Sequence, residues 1–170
     1  MNTSTVTTNT TTSATPHRPD VARVRKQLAR RSFATLATTS PAGRPHVAGV
    51  LYELVDDAMY VSTMSSSRKA RNVASNSNVA VVVPIRRIPV GPPSTVQFQT
   101  SAELLAVDDP KILDLVAAGQ LKSITGHGEL ELADGCFLRI PVPSRLVTYG
   151  LGMPIRRLIA DPLGGGGVAE

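Results

Sequence analysis

The sequence predicts a mainly β protein, an α+β chain built as a small antiparallel barrel with a few flanking helices. Segments rich in β-branched residues follow one another with short turns between them, and few stretches have helical spacing. A chain of 170 residues with 42% hydrophobic residues is long enough to form one domain with a core. We divide it into a tail (residues 1–17), a barrel domain (18–153) and a partly flexible C-terminal extension (154–170).

The first part of the chain is predicted to form one helix and three strands. Asp20 provides the N-cap of the helix, which runs to about Arg31 with Val21, Val24 and Leu28 on one face. The Thr-, Ser- and Asn-rich residues 1–16 cannot bury enough apolar surface to fold, and we expect them to be disordered. Short turns join the three strands, so we expect an antiparallel meander of Phe33–Thr39, Arg44–Val55 and Ala58–Thr63.

The second part is predicted to contain shorter helices and further strands. A short helix, Arg68–Ser75, precedes an apolar strand, Val79–Val83, which Pro84 is expected to end. Gly164 and the residues after it are expected to be mobile. The remaining predicted elements are a proline-rich loop at Arg86–Pro93, a strand at Thr95–Val107, a helix capped by Asp108 or Asp109 that runs from Pro110 to about Leu121, and strands at Cys136–Val142 and Leu146–Tyr149.

The junction between the third strand and the short helix is the candidate binding site. Three serines, Ser65–Ser67, stand at the start of the helix, with Ser67 as N-cap, and Arg68, Lys69 and Arg71 follow in its first turn. The helix dipole disfavours cations at this position, whereas backbone N–H groups, hydroxyls and cations together bind an anion such as phosphate. A solvated basic helix with an ordinary serine cap explains the same residues when the segment is considered alone.

Composition narrows the possible partners. A net charge of +5 favours an anionic partner, but three Phe and three Tyr without Trp are too few to stack nucleic-acid bases, so no nucleic acid is expected. His17, His46 and His127 lack the spacing of metal ligands, and Cys136 is the only cysteine, so no metal is expected. No apolar run approaches the roughly 20 residues that span a bilayer, and we expect a cytoplasmic protein without a membrane partner.

From Phe33 to Val83 the sequence resembles the split β-barrel flavin-binding proteins related to pyridoxamine phosphate oxidase, a family that includes actinobacterial deazaflavin (F420)-dependent reductases. The similar features are a strand, a PxGxPH-like turn, two strands and a run with the pattern R-K-x-x-N-x-x-x-N-x-x-V. Phe98–Pro110 and Leu138–Gly152 resemble later segments of the same family. The resemblance implies an antiparallel split β-barrel of the FMN-binding type.

The resemblance also implies a cofactor site and a homodimer with two such sites at the subunit interface. The cofactor phosphate would lie at the strand-to-helix junction, with Lys69 as its main ligand and Asn72 fixing the loop. The cofactor ring would lie against the second and third strands. The implied cofactor-binding residues are Val50, Leu51, Ser62, Thr63, Met64, Ser67, Arg68, Lys69 and Asn72.

The predicted function is that of a flavin- or deazaflavin-dependent oxidoreductase that transfers hydride to or from a small organic substrate. F420 is preferred over FMN, because the C-terminal segment SRLVTYGLGMPIRR lacks the Arg-x-His pattern of pyridoxamine phosphate oxidases and the pairs Arg86-Arg87 and Arg156-Arg157 could meet a polyanionic tail. Tyr52 and Tyr149 are candidate proton donors only by elimination, and each is equally explained as a half-buried core residue. The alternative is a non-enzymatic cofactor- or haem-binding protein, in which His127 is either an axial ligand or an exposed loop residue.

Overall fold

The computed structural model describes residues 18–85 and 94–170, so the predicted disordered tail and the loop Arg86–Pro93 lie outside the described residues. The helices are α1 (Val21–Leu28), α2 (Arg68–Ser75), α3 (Pro110–Ala117), α4 (Lys122–Thr125) and α5 (Ile155–Ala160), with 3-10 turns at Glu129–Glu131 and Leu163–Gly165. The strands are β1 (Phe33–Thr39), β2 (Pro45–Leu51), β3 (Glu53–Val55), β4 (Ala58–Met64), β5 (Asn78–Ile85), β6 (Ser94–Ser101), β7 (Glu103–Ala106), β8 (Gly135–Pro141), β9 (Leu146–Tyr149) and β10 (Gly166–Ala169).

The strands form two antiparallel sheets, as the predicted fold class requires. The larger sheet has the order β10-β9-β6-β5-β1-β2, and the smaller one has the order β3-β4-β8-β7. The two sheets face each other without closing into a continuous barrel, and the fold is that of a split β-barrel. The predicted bounds of β1, α2 and β9 are confirmed, as are the helix caps provided by Asp20 and Ser67.

The predicted three-stranded meander is wrong, because the strand Arg44–Val55 breaks at Tyr52 and its two parts lie in different sheets. The Tyr52 backbone N–H donates to Ser32 O at 2.8 Å, and its hydroxyl donates to Leu28 O at 2.8 Å. Val50 and Tyr52 nevertheless both point into the same core. The alternation of buried and exposed residues therefore continues through the break, and the sequence pattern does not reveal the break.

The predicted strand Thr95–Val107 breaks in the same way at Ala102, whose N–H donates to Ser77 O at 2.8 Å. Pro84 does not end β5; the strand continues to Ile85, because β1 pairs only as far as Val82 on that side. The helix predicted from Pro110 to about Leu121 ends at Ala117.

The predicted mobile C-terminal segment is also corrected. Residues Gly166–Ala169 form β10, which pairs with β9 at one edge of the larger sheet. The 3-10 turn before it brings the Tyr149 hydroxyl within 3.1 Å of Pro162 O, to which it donates. The end of the chain is thus part of the six-stranded sheet.

Two groups of buried side chains hold the fold together. The first fills the space between the two sheets and includes Val24 and Leu28 of α1. The second lies on the other face of the smaller sheet, where Tyr60 and Phe137 pack against Ile112 and Ile124 of the α3–α4 region. The smaller sheet is therefore covered on both faces. This arrangement brings α4 and the residues after it next to β4.

Candidate functional site

A cavity of about 220 Å³ lies where the edge strand β2 meets β4, α2 and the segment after α4. We call its first side the sheet wall, which is formed by Gly49, Val50, Leu51, Val61, Ser62 and Lys69. We call its second side the loop wall, which is formed by Ser123, Ile124, His127 and Glu129. The structure thus brings together four of the predicted cofactor-binding residues: Val50, Leu51, Ser62 and Lys69.

The other predicted cofactor-binding residues, Thr63, Met64, Ser67, Arg68 and Asn72, do not line this cavity. The Thr63 hydroxyl donates to Ser67 Oγ at 3.3 Å, and Met64 and Arg68 are exposed. Asn72 is buried, and its Nδ2 donates to Thr38 Oγ1 at 2.9 Å, which joins α2 to β1. Asn72 therefore acts within the core. A direct role for any of these residues in cofactor binding stays a prediction.

Two donors at the start of α2, the Ser66 hydroxyl and the Ser65 backbone N–H, are engaged by Asp134. Ser66 Oγ donates to Asp134 Oδ2 at 2.6 Å, and the Ser65 N–H donates to Asp134 O at 2.8 Å. Ser67 Oγ accepts from the Ala70 N–H at 3.3 Å, as an N-cap does. Asp134 also places a carboxylate at the helix N-terminus, where a negative charge is stabilised.

Lys69 is the cation of the sheet wall. It is half-buried, and among residues 18–85 and 94–170 no carboxylate lies within ion-pair distance of its ammonium group. A partly desolvated cation without a counter-ion favours an anionic ligand. The residues of the sheet wall therefore fit an anionic group such as a phosphate at Lys69.

The loop wall holds the residues that sequence reasoning did not place in the site. Gly128 adopts φ +89°, which a side chain disfavours, and this turn folds Glu129 back towards His127. The His127 backbone N–H donates to Glu129 Oε2 at 2.8 Å, and His127 Nδ1 lies 3.7 Å from Glu129 Oε1. The sequence signal for this part of the site is a histidine between two glycines with a glutamate two positions later. From the sequence alone, His127 is expected only as an exposed loop residue or as an axial haem ligand.

The hydrogen bond from the His127 backbone N–H lowers the pKa of Glu129. Burial raises the pKa of Tyr52, and its buried hydroxyl donates to Leu28 O and does not line the cavity, so it is not placed to protonate a ligand there. Tyr149 lies on β9, one strand in from the far edge of the larger sheet, and does not line the cavity. Neither tyrosine proposed by elimination fits the role of a catalytic acid.

Three further observations concern a neighbouring cavity, metal binding and membrane-spanning helices. A second cavity, of about 300 Å³, shares Ser123 with the first and is lined mainly by polar residues, including Arg30, Arg31 and Glu53. The described part of the chain contains no group of three or more His, Cys, Asp or Glu side chains that could bind a metal ion. Among residues 18–85 and 94–170, no helix has both the length and the apolar content that a membrane crossing requires.

The family model for pyridoxamine 5'-phosphate oxidase matches residues 21–132, which is more than half of the chain. The chain belongs to this family, the class of split-barrel proteins that the two sheets indicate. The match includes the whole sheet wall and the loop wall. No curated protein matches the sequence.

Solved structures with the same fold include proteins that bind different groups. The haem storage protein HutZ of Vibrio cholerae is similar with a TM-score of 0.63 and 19% identity, over 74% of this chain and 91% of that one. A haem-binding protein of Mycobacterium smegmatis gives 0.65 and 20%, over 81% of this chain and 57% of that one. An FAD-binding protein of Mesorhizobium loti gives 0.60 and 19%, over 76% and 92%. At these identities the likeness shows the fold alone.

Proposed function

We propose that this protein is a flavin- or deazaflavin-dependent oxidoreductase that binds F420 or FMN in the cavity between the sheet wall and the loop wall. The observation that carries the proposal is Lys69, a half-buried cation without an ion-pair partner in the described residues, inside a cavity of a split-barrel protein. Family membership and the FAD-binding neighbour support it. The substrate is a small organic molecule.

The residues of the sheet wall would bind and orient the cofactor. Lys69 would hold its phosphate, and the apolar edge of Val50 and Leu51 would support the ring beside Ser62. When bound, a flavin or deazaflavin supplies hydride chemistry, and the protein supplies position and electrostatics. Gly49 lies under the Phe33 ring, since a Cβ at Gly49 would come within 2.9 Å of that ring. This contact keeps the edge of β2 packed next to the cavity.

We also propose that the protein is a homodimer whose subunits pack through the outer face of the larger sheet. The side chains on this face alternate with the core residues of β1, β2, β5, β6, β9 and β10, and none of them is charged. Phe33, Val47 and Leu51 are 47%, 61% and 59% exposed there. An uncharged face that exposes several large apolar side chains is a candidate interaction site.

The cavity supports the same dimer. Gly49 and Leu51 belong both to the cavity lining and to the outer face, so the cavity adjoins the proposed interface. Its volume of about 220 Å³ is below the roughly 300–1,000 Å³ of typical ligand pockets. A second copy packed on this face would enlarge the site and complete it.

Equilibrium titration with FMN and F420 tests the cofactor site. Lys69→Ala should weaken the binding of the preferred cofactor by roughly 10- to 100-fold, since a hydrogen bond to a charged group contributes about 1.5–3 kcal/mol. Arg71→Ala removes an exposed cation of the same helix that does not line the cavity, and should leave affinity unchanged. Equal affinity in the wild type and Lys69→Ala, or no binding of either cofactor, would contradict the proposal.

Sedimentation velocity tests the dimer. Val47→Glu places a charge on the outer face, on the edge strand β2 next to the cavity, and should produce monomers with reduced cofactor affinity. Leu113→Glu is the matched control, because Leu113 is 52% exposed on α3, away from this face. A wild-type protein that sediments as a monomer at micromolar concentration would rule out the dimer.

Haem binding is the second candidate function. It is supported by the two haem-binding neighbours and by the exposed His127 imidazole in the cavity lining. A haem titration of the wild type and His127→Ala discriminates the two functions. A Soret band that depends on His127, together with no affinity for FMN or F420, would select the haem-binding function.

A further inference from the structure

We propose that His127, held by Glu129, is the residue that exchanges a proton with the substrate in this cavity. The proposal rests on the cofactor role given above and adds a catalytic residue to it. The carboxylate of Glu129 contacts both the backbone N–H and the ring of His127, at 2.8 Å and 3.7 Å respectively. Because Nδ1 faces the carboxylate, Nε2 is the ring nitrogen left for a ligand.

The chemistry of the cavity lining leaves His127 as the residue for this role. Its ionisable side chains are Lys69, His127 and Glu129. A lysine ammonium and a glutamate whose pKa is lowered both keep one charge state around neutrality, whereas an imidazole changes state in this range. His127 also contributes, after the backbone hydrogen bonds, to lowering the pKa of Glu129, so the two side chains interact electrostatically.

Access to solvent completes the arrangement. The His127 side chain is 86% exposed, whereas that of Glu129 is 26% exposed. The ring can therefore regain a proton from water after each turnover while its carboxylate partner stays partly covered. The histidine–carboxylate pair is built by the local backbone, since Gly128 with φ +89° brings the two residues together.

The proton transfer balances the hydride chemistry of the proposed function. In the direction of substrate reduction, the hydride for an electrophilic carbon would come from a bound, reduced flavin or deazaflavin. The N–H bond at His127 Nε2 breaks, and its proton forms a new bond with the adjacent heteroatom, whose electron pair comes from the reduced double bond. The substrate gains two electrons and two hydrogens, and the imidazole is left neutral.

A nuclear magnetic resonance experiment tests the placement of His127 without any turnover. The imidazole ¹H–¹⁵N signals are recorded while FMN or F420, whichever binds in the titration above, is added to the wild type. The signals of His127 should shift on saturation, and those of His46, which does not line the cavity, should not. Cofactor binding that leaves the His127 signals unchanged would overturn the proposal, whatever the substrate.

The anaerobic oxidation of the bound, pre-reduced cofactor by menadione tests the proton transfer. The wild-type single-turnover rate should fall as the pH rises through neutrality, and His127→Gln should lose this dependence and about 10²- to 10⁴-fold in rate. Glu129→Gln should move the midpoint to lower pH, because a neutral amide no longer stabilises the imidazolium ion. His46→Gln and Glu131→Gln should match the wild type.

The outcomes separate this inference from the proposed function. A wild type that binds no FMN or F420 contradicts the cofactor role itself. A wild type that binds the cofactor through Lys69, while His127→Gln keeps the pH dependence and the rate, contradicts only the role of His127.

Discussion

The sheet wall and the loop wall enclose one cavity but are held in place by different forces. The sheet wall depends on strand register and on buried contacts such as Asn72–Thr38, which joins residues 34 positions apart. The loop wall depends on local backbone geometry, with Gly128 in a left-handed conformation and Glu129 bonded two residues back. We infer that the first wall is a rigid support and that the second can be altered without unfolding the protein.

The largest effect is expected for Asn72→Ala, which removes the anchor of the sheet wall. The substitution leaves the buried Thr38 hydroxyl without its donor and creates a small void, so the free energy of unfolding should fall by about 2–3 kcal/mol. Urea unfolding with an unchanged m-value measures this loss. Arg71→Ala, an exposed change on the same helix, should cost less than about 0.5 kcal/mol. If Asn72→Ala also costs less than about 0.5 kcal/mol, the Asn72–Thr38 hydrogen bond does not hold the sheet wall in place.

A smaller effect is expected for Tyr52→Phe, at the junction of the two sheets. The Leu28 carbonyl loses its buried donor, and the free energy of unfolding should fall by about 1–2 kcal/mol. Burial raises the pKa of Tyr52, so the folded protein keeps the phenol protonated at a pH where the unfolded chain ionises it. This contribution is present below the unfolded pKa of about 10 and is lost as the pH rises above it. From pH 9 upward, the free energy of unfolding should therefore fall more steeply with pH for the wild type than for Tyr52→Phe.

Gly128→Ala tests the loop wall, since a φ of +89° disfavours a side chain and the loop should rearrange locally to relieve the strain. We expect the His127 and Glu129 resonances to shift and cofactor affinity to change, while the urea midpoint of the whole protein stays near that of the wild type. Gly166→Ala is the control, because a Cβ there has no neighbour within 4 Å and φ is negative. A fall in global stability with Gly128→Ala would show that the two walls unfold together.

The smallest effect is expected for Ser66→Ala, which removes one of the two hydrogen bonds between the start of α2 and Asp134. The Ser66–Asp134 hydrogen bond is exposed, so its loss should cost about 0.5–1 kcal/mol. Asp134 would then be free to repel an anion at the start of α2, and FMN affinity should fall slightly. A gain in affinity would show instead that Ser66 restrains the site.

The contrast between the walls also explains which features the sequence could predict. The Ser67 cap and the position of Lys69 on α2 depend on neighbouring residues, and the local pattern was sufficient for both. The break at Tyr52 depends on which sheet each half of the strand joins. Both halves direct every second residue into one core, so the alternation of apolar and polar residues could not reveal the break.

The loop wall was missed for a related reason. His127 and Lys69 are far apart along the chain, and only the packing of α4 against β4 brings them to the same cavity. The pairing of Ser66 with Asp134 spans 68 residues and likewise has no local signal. The family resemblance predicted residues of the sheet wall, because the similar segment covers Phe33–Val83. None of the similar segments includes Ser123–Glu129.

The buried Tyr52 makes the junction of the two sheets visible to spectroscopy. The chain contains three tyrosines and no tryptophan, so tyrosine emission is not masked by an indole. Tyr52 lines the second cavity, which shares Ser123 with the first, whereas Tyr149 is on β9, one strand in from the far edge of the larger sheet. A ligand that absorbs in the near ultraviolet should quench Tyr52 and also Tyr60, which adjoins the cavity-lining Val61, by energy transfer, and the difference between the wild type and Tyr52→Phe isolates the share of Tyr52. The wild type and Tyr52→Phe together therefore provide a label-free optical assay of occupancy.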